Sequence, residues 1–153
     1  MATDTKEIYS TLNDLVETCK DGEQGFRTAA ESVKNSTVRS LFESFSSQRA
    51  KFAGELQMEV SRLGGTPEQS GSVSGAAHRG WMNIKSAVTG EDEAAIINEA
   101  ERGEDVAVKS YRDALAKDLP NDVRNLVERQ YREVQDAHNQ VRSLQVRTSG
   151  GTA

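Results

Sequence analysis

Residues 64–91 read GGTPEQSGSVSGAAHRGWMNIKSAVTGE, from Gly64 to Glu91. The first half is crowded with glycine and serine and has no long apolar run. Gly64-Gly65-Thr66-Pro67 offers a left-handed helix end followed by a proline that blocks a further turn. The second half differs. From Ala76 to Val88, the residues Trp81, Ile84, Ala87 and Val88 fall on one side at helical spacing, and Thr89-Gly90 closes the segment. The stretch therefore reads as a crossover over 64–91 with a short helix at about 76–88.

Long helical patterns flank it on both sides. The first covers about 4–34, opening with Asp4 three residues before Glu7 in the manner of a capping box. Its apolar face is Ile8, Leu12, Leu15, Cys19, Phe26, Ala30 and Val33. The second covers about 36–63, with Ser36 as the expected N-cap and Val38, Leu41, Phe45, Phe52, Leu56 and Leu63 as its stripe. The third covers about 92–118, behind the acidic Glu91-Asp92-Glu93 that suits the positive end of a helix. Ile97, Ala100, Val108, Tyr111 and Leu115 face inward there. Leu119-Pro120-Asn121 breaks the chain, and the fourth covers about 121–145 with Val123, Val127, Val134, Val141 and Leu144 as its seam. Residues 147–153 read as a flexible tail.

Connection lengths then set the topology. The first and second helices have almost no loop between them, and neither do the third and fourth, so each pair is an antiparallel hairpin. Helices of this size are about 40 Å long at 1.5 Å per residue. A long, partly helical crossover can run back over that length. The expectation is an all-α fold: one ferritin-like four-helix-bundle domain over 1–146, two antiparallel hairpins joined by a long crossover.

Composition agrees and excludes several functions. A chain of 153 residues fits one domain, and 35% hydrophobic residues with a mean hydropathy of −0.66 require a narrow, well-patterned core. Two prolines, Pro67 and Pro120, leave long stretches free to be helical. A net charge of −5 speaks against nucleic acid, which needs a basic face. No apolar run is long enough to span a membrane, and the Met1 end has no basic, apolar leader. The lone Cys19, read as a small buried hydrophobe, excludes an internal disulfide and fits a reducing, cytoplasmic setting. There is no Ser/His/Asp set, P-loop or dinucleotide fingerprint, which disfavours phosphate and hydride transfer.

The seams are interrupted by polar residues at similar depth. Gly22 or Glu23 falls between Cys19 and Phe26, and Gln48 between Phe45 and Phe52. Glu101 and Glu104 follow Ile97, and His138, flanked by Gln135, sits between Val134 and Val141. A carboxylate-bridged metal pair in a bundle takes one Glu from each of two helices and Glu-x-x-His from the other two. Here Glu23 and Glu104 are the lone glutamates. The fourth helix has Gln135-Asp136-Ala137-His138, and the second has Gln48-Arg49-Ala50-Lys51 with no histidine. The candidate is therefore a single-metal site of Glu23, Glu104 and His138, with Glu101, Gln48 and Gln135 as weaker members. The competing reading is a buried polar layer in which Arg49 or Lys51 pairs with Glu23 or Glu104. Two mid-helix glycines, Gly22 and Gly103, each precede a glutamate. At a cost of about 1 kcal/mol apiece relative to Ala, they point to close helix contact or to room for something beside the glutamate.

Four phrases, Asp21-Gly22-Glu23-x-Gly25-Phe26, Leu63-Gly64-Gly65-Thr66-Pro67, His78-Arg79-Gly80-Trp81-Met82 and Glu101-Arg102-Gly103-Glu104-Asp105, resemble a bacterial family of small four-helix bundles of unknown function. That family is related to the ferritin-like and rubrerythrin-like superfamily. The resemblance covers residues 5 to 146. It implies a ferritin-like fold, with Glu23, Glu104 and His138 at positions matching the superfamily's ligands. Gln48, Lys51 and Gln135 depart from that pattern. Two functions are expected from this. One is binding of iron, manganese or zinc, with oxygen or peroxide chemistry if the metal keeps an open position. The other is a non-catalytic structural or protein-interaction bundle. A homodimer is the expected assembly.

Overall fold

Asn35 makes the first hairpin tight. It adopts an extended backbone (φ −67°, ψ 117°), and its side-chain oxygen accepts from Thr37 N at 2.9 Å and Val38 N at 3.1 Å. It therefore caps α2 (Ser36–Arg62) directly after α1 (Thr5–Ser32). The expected cap, Ser36, is already helical; an N-cap needs non-helical dihedrals, and those belong to Asn35. A computed structural model describes residues 5–69 and 80–150, with side chains through residue 145. Asp4 lies outside the described residues.

α2 ends as its glycines demand. Gly64 has φ 91°, its N–H reaches Ser61 O at 3.0 Å, and Gly65 N reaches Val60 O at 2.9 Å. These are the paired bonds of a Schellman ending. The crossover's described helical part is α3 (Ile84–Thr89), preceded by a turn at Trp81–Asn83 where the helix expected over 76–88 would run on; residues 76–79 of that expectation lie outside the described residues. The end of α3 holds a surprise. Gly90 has φ −75°, and Glu91 takes the left-handed conformation at φ 54°. An L-residue is strained there by roughly 1–2 kcal/mol. Glu91→Gly is therefore expected to raise stability by about 1 kcal/mol, read as a higher urea midpoint; an unchanged or lower midpoint would contradict the strain.

α4 (Glu93–Leu115) starts on Asp92, whose carboxylate accepts from Ala95 N at 3.2 Å. It stops three residues before the expected 118, where the Arg124 guanidinium donates to Leu115 O at 3.1 Å and Lys117 O at 2.6 Å. α5 (Asn121–Gly150) follows Pro120, which starts a helix where no N–H is needed. Its backbone stays helical to Gly150, beyond the expected end near 145 and through the first part of the tail expected over 147–153, because each added residue of an existing helix gains a bond; residues 151–153 lie outside the described residues. The described residues hold five helices and no strand. No described helix is long and apolar enough to cross a membrane.

Cross-links fix the helix directions. Glu93, at the start of α4, accepts from Lys34 N and Asn35 N at 3.1 and 3.2 Å, beyond the end of α1. Lys117 Nζ, after α4, donates to Thr11 Oγ1 near the start of α1 at 3.1 Å. α1 and α4 are thus antiparallel neighbours. Arg62 at the end of α2 meets Asp122 at the start of α5 at 2.6 Å, so α2 and α5 are antiparallel too. Each of the four long helices packs on its hairpin partner and on one helix of the other hairpin, which leaves α2 and α4 on a diagonal. The crossover must therefore return along the bundle. Asn13 holds its start by donating to Thr66 O and accepting from Glu68 N. The buried Glu99 carboxylate holds its far part by accepting from Asn83 N.

The core divides in two. One apolar cluster joins Ile8, Leu12, Leu15, Phe52, Leu56, Tyr111, Val123 and Val127. The other joins Phe26, Phe42, Phe45, Trp81, Ile96, Ile97 and Val141. The seams read for α1 and the last helix are buried throughout. On α2, Leu41 is only partly covered and Phe42 is fully buried in its place; Leu63, just past the helix end, is also only partly covered.

Candidate functional site

Between the two clusters lies the polar layer. Glu104 falls between the buried Ala100 and Ala107, and Arg49 between the buried Phe45 and Phe52. Each residue therefore points at the bundle axis. Neighbouring helices sit 8–10 Å apart, so a diagonal pair is separated by roughly 13 Å and only long side chains can meet across it. Arg49 Nη1 and Nη2 donate to the two Glu104 oxygens at 2.6 and 2.7 Å. The side chains are 1% and 0% exposed, so the pair is withdrawn from water. Arg49 Nε donates to Gln48 Oε1 at 3.1 Å, and its guanidinium carbon lies 5.5 Å from the centre of the Phe26 ring. Burial alone would lower the Arg49 pKa; the Glu104 charge and its hydrogen bonds outweigh that and push it upward. Gly22 makes the room: a Cβ there would lie 3.3 Å from Arg49 Nη1.

A second chain of polar groups runs around the bundle next to this pair. Cys19 Sγ and Tyr111 Oη are 3.1 Å apart. Tyr111 donates to Gln130 Oε1 at 2.7 Å, and Gln130 Nε2 donates to Glu55 Oε1 at 3.0 Å. Burial pushes the Cys19 thiol up to about 11, with the Tyr111 hydrogen bond opposing only in part. The thiol is therefore protonated at neutral pH and inert as a nucleophile. Burial also raises the Tyr111 phenol well above its usual range, helped by Cys19. Every fully buried side-chain N or O among the described residues has a partner.

The residues predicted from sequence separate into different places. Glu23 is half-buried at the surface, where Arg27 donates to it at 2.8 Å and Lys20 lies 3.8 Å away. Gln48 accepts from Arg49, and the exposed Gln135 donates to Tyr131 Oη at 3.1 Å. Lys51 is exposed. His138 meets Glu101 on the flank between α4 and α5, with Asp105 as the third member. His138 Nε2 is 2.6 Å from Asp105 Oδ1 and 3.4 Å from Glu101 Oε1. At 3.6 residues per turn, Glu101 and Asp105 lie about 60° and 100° around α4 from Glu104, so they leave the axis together. Burial raises the Glu101 pKa, with the Asp105 carboxylate adding to the rise and His138 and Arg142 opposing it.

Gln130, Glu55 and Asp105 escaped the sequence reading. Gln130 is fully buried midway between Val127 and Val134, the same seam interruption that marked the other polar positions. Asp105 stands one turn after Glu101, a spacing that was there to be read. The two mid-helix glycines, Gly22 and Gly103, make room for side chains, Arg49 at the first and Trp81 at the second. Gly103 backs onto Trp81, as does Gly25. The likeness between the two Gly-Glu phrases stops there, since Glu23 is at the surface and Glu104 at the centre. His78 lies outside the described residues.

These features define an all-helical bundle with a fully paired polar centre and a His–carboxylate group on its flank. The chain belongs to the family described as domain of unknown function DUF2383, which matches residues 7–117. The match stops in the turn before α5, so Gln130 and His138 lie beyond it. No curated protein matches the chain.

Proposed function

We propose that this protein is a ferritin-like bundle acting as a non-catalytic structural or protein-interaction module, its centre closed by an ion pair where a metal centre would otherwise sit. The helix order supports the arrangement, because two antiparallel hairpins joined by a single long crossover are the connectivity of ferritin-like bundles. The observation that carries the functional reading is the two-pronged Arg49–Glu104 contact on the axis. A metal ion at Glu104 would have to displace two charge-assisted hydrogen bonds and then face a guanidinium at contact distance. Of the other mid-bundle candidates, Glu23 and Gln135 are engaged at the surface, Gln48 accepts from Arg49, and His138 and Glu101 meet on the flank.

The test is a metal count. The protein, purified without chelator or metal-affinity resin, is offered Fe(II), Mn(II) and Zn(II) anaerobically, desalted and assayed by elemental analysis. Glu104→Gln is expected to carry the same metal content as the parent chain while melting lower. Stoichiometric metal that vanishes in Glu104→Gln, with helical circular dichroism retained, would restore the mid-bundle metal site and overturn the proposal.

A further inference from the structure

We propose that Glu101, Asp105 and His138 bind one divalent transition-metal ion on the flank of the bundle, between α4 and α5. The three residues each offer a ligand atom, and those atoms all lie within 4.8 Å of one another. A metal with bonds near 2.1 Å and tetrahedral angles wants its ligand atoms about 3.4 Å apart. The separation of His138 Nε2 from Glu101 Oε1, 3.4 Å, already has that value, and the 2.6 Å to Asp105 Oδ1 has to open. Small side-chain rotations complete the set, and the exposed Asp105 is free to make them.

The chemistry of the set selects the ion. Two carboxylates balance a 2+ charge, and an imidazole with its proton on Nδ1 presents a lone pair at Nε2. One nitrogen and two oxygens suit zinc, iron(II), cobalt(II) or manganese(II). They suit magnesium and calcium less, which prefer oxygen alone, and they lack the thiolates that copper(I) seeks. Three protein ligands leave at least one position to water. The site shares neither Glu104 nor Glu23 with the mid-bundle candidate. It is built from two helices, so a bound ion would tie α5 to α4. Exposed Arg142, one turn beyond His138, also bears on Glu101 through its charge, and its long stem can swing clear of an incoming cation. The inference is independent of whether the centre is closed.

The full chain, stripped with chelator and dialysed, is titrated with Co(II), followed by ligand-field absorption, and then with Zn(II) in competition. One Co(II) per chain, displaced by Zn(II), is the expected result. His138→Ala and Asp105→Asn should each weaken Co(II) on the order of 100-fold or more, since even residues that only support a ligand cost 10–100-fold. Asp105 is exposed, so its variant keeps the test valid if His138→Ala disturbs folding. No retained Co(II) in the parent chain, or unaltered affinity in either variant with helical circular dichroism intact, overturns the site.

Discussion

Arg49→Met is expected to cost about 3–5 kcal/mol of unfolding free energy, because it leaves the Glu104 carboxylate in the bundle centre with its partner gone. Glu104 is 0% exposed, and both its oxygens are bonded to the guanidinium, so no water stands ready to replace it. Methionine keeps most of the arginine's apolar stem, so the loss reports charge and hydrogen bonding more than volume. The contact with the Phe26 ring goes as well, a smaller loss. The double variant Arg49→Met/Glu104→Leu should recover most of the deficit, since an apolar pair fills the space without desolvated charge. Urea denaturation of the three chains measures this. A single-variant cost below about 1 kcal/mol would mean that the pair is solvated after all.

Gly103→Ala is expected to cost about 2–4 kcal/mol, even though alanine is the better helix former by roughly 1 kcal/mol. A Cβ on Gly103 would fall 2.2 Å from Trp81 Cε2, and one on Gly25 2.3 Å from Trp81 Cδ2. The indole is wedged between the backbones of α4 and α1, edge-on to Phe26 at 4.9 Å. Neither helix can retreat without opening the core, so the ring must leave. Trp81 is the chain's only tryptophan, so its emission reports the event directly. A red shift should accompany the loss of stability. In a Trp81→Ala background, Gly103→Ala should cost nothing further, because the atoms it would strike are absent. Equal penalties in both backgrounds would place the strain elsewhere.

The outer seams were legible because they need only local periodicity. Ile8 to Val33 and Val123 to Leu144 repeat at three and four residues, and no tertiary fact overrides them. The end of α2 was legible because Gly64 and Pro67 act on the backbone alone. The polar layer was legible in its depth and less so in its membership. Gln48 and Arg49 both fit the step from Phe45 to Phe52, and a buried arginine makes sense only with a partner 55 residues away across a diagonal. Arg49 with Glu104 was one of the pairings open in the sequence; nothing in the local pattern singled it out. The flank group was half visible. Glu101 and His138 interrupt their seams, but their departure from the axis depends on rotation about α4, which a list of seam positions does not carry.

The returning crossover also governs how the bundle comes together in time. Each hairpin is made of contacts close in sequence, with Asn35 turning one and Pro120 opening the second helix of the other, so each can form by a short search. Joining them requires the chain to close over the crossover. Only then can Trp81 enter between Gly25 and Gly103 and Glu93 reach Lys34 and Asn35, 59 and 58 residues away. Contacts that close the longest loops are completed late, and late contacts act mainly on the unfolding rate. The wedge of Trp81 is thus expected to act as a latch, doing little to speed assembly and lengthening the time the assembled bundle stays shut.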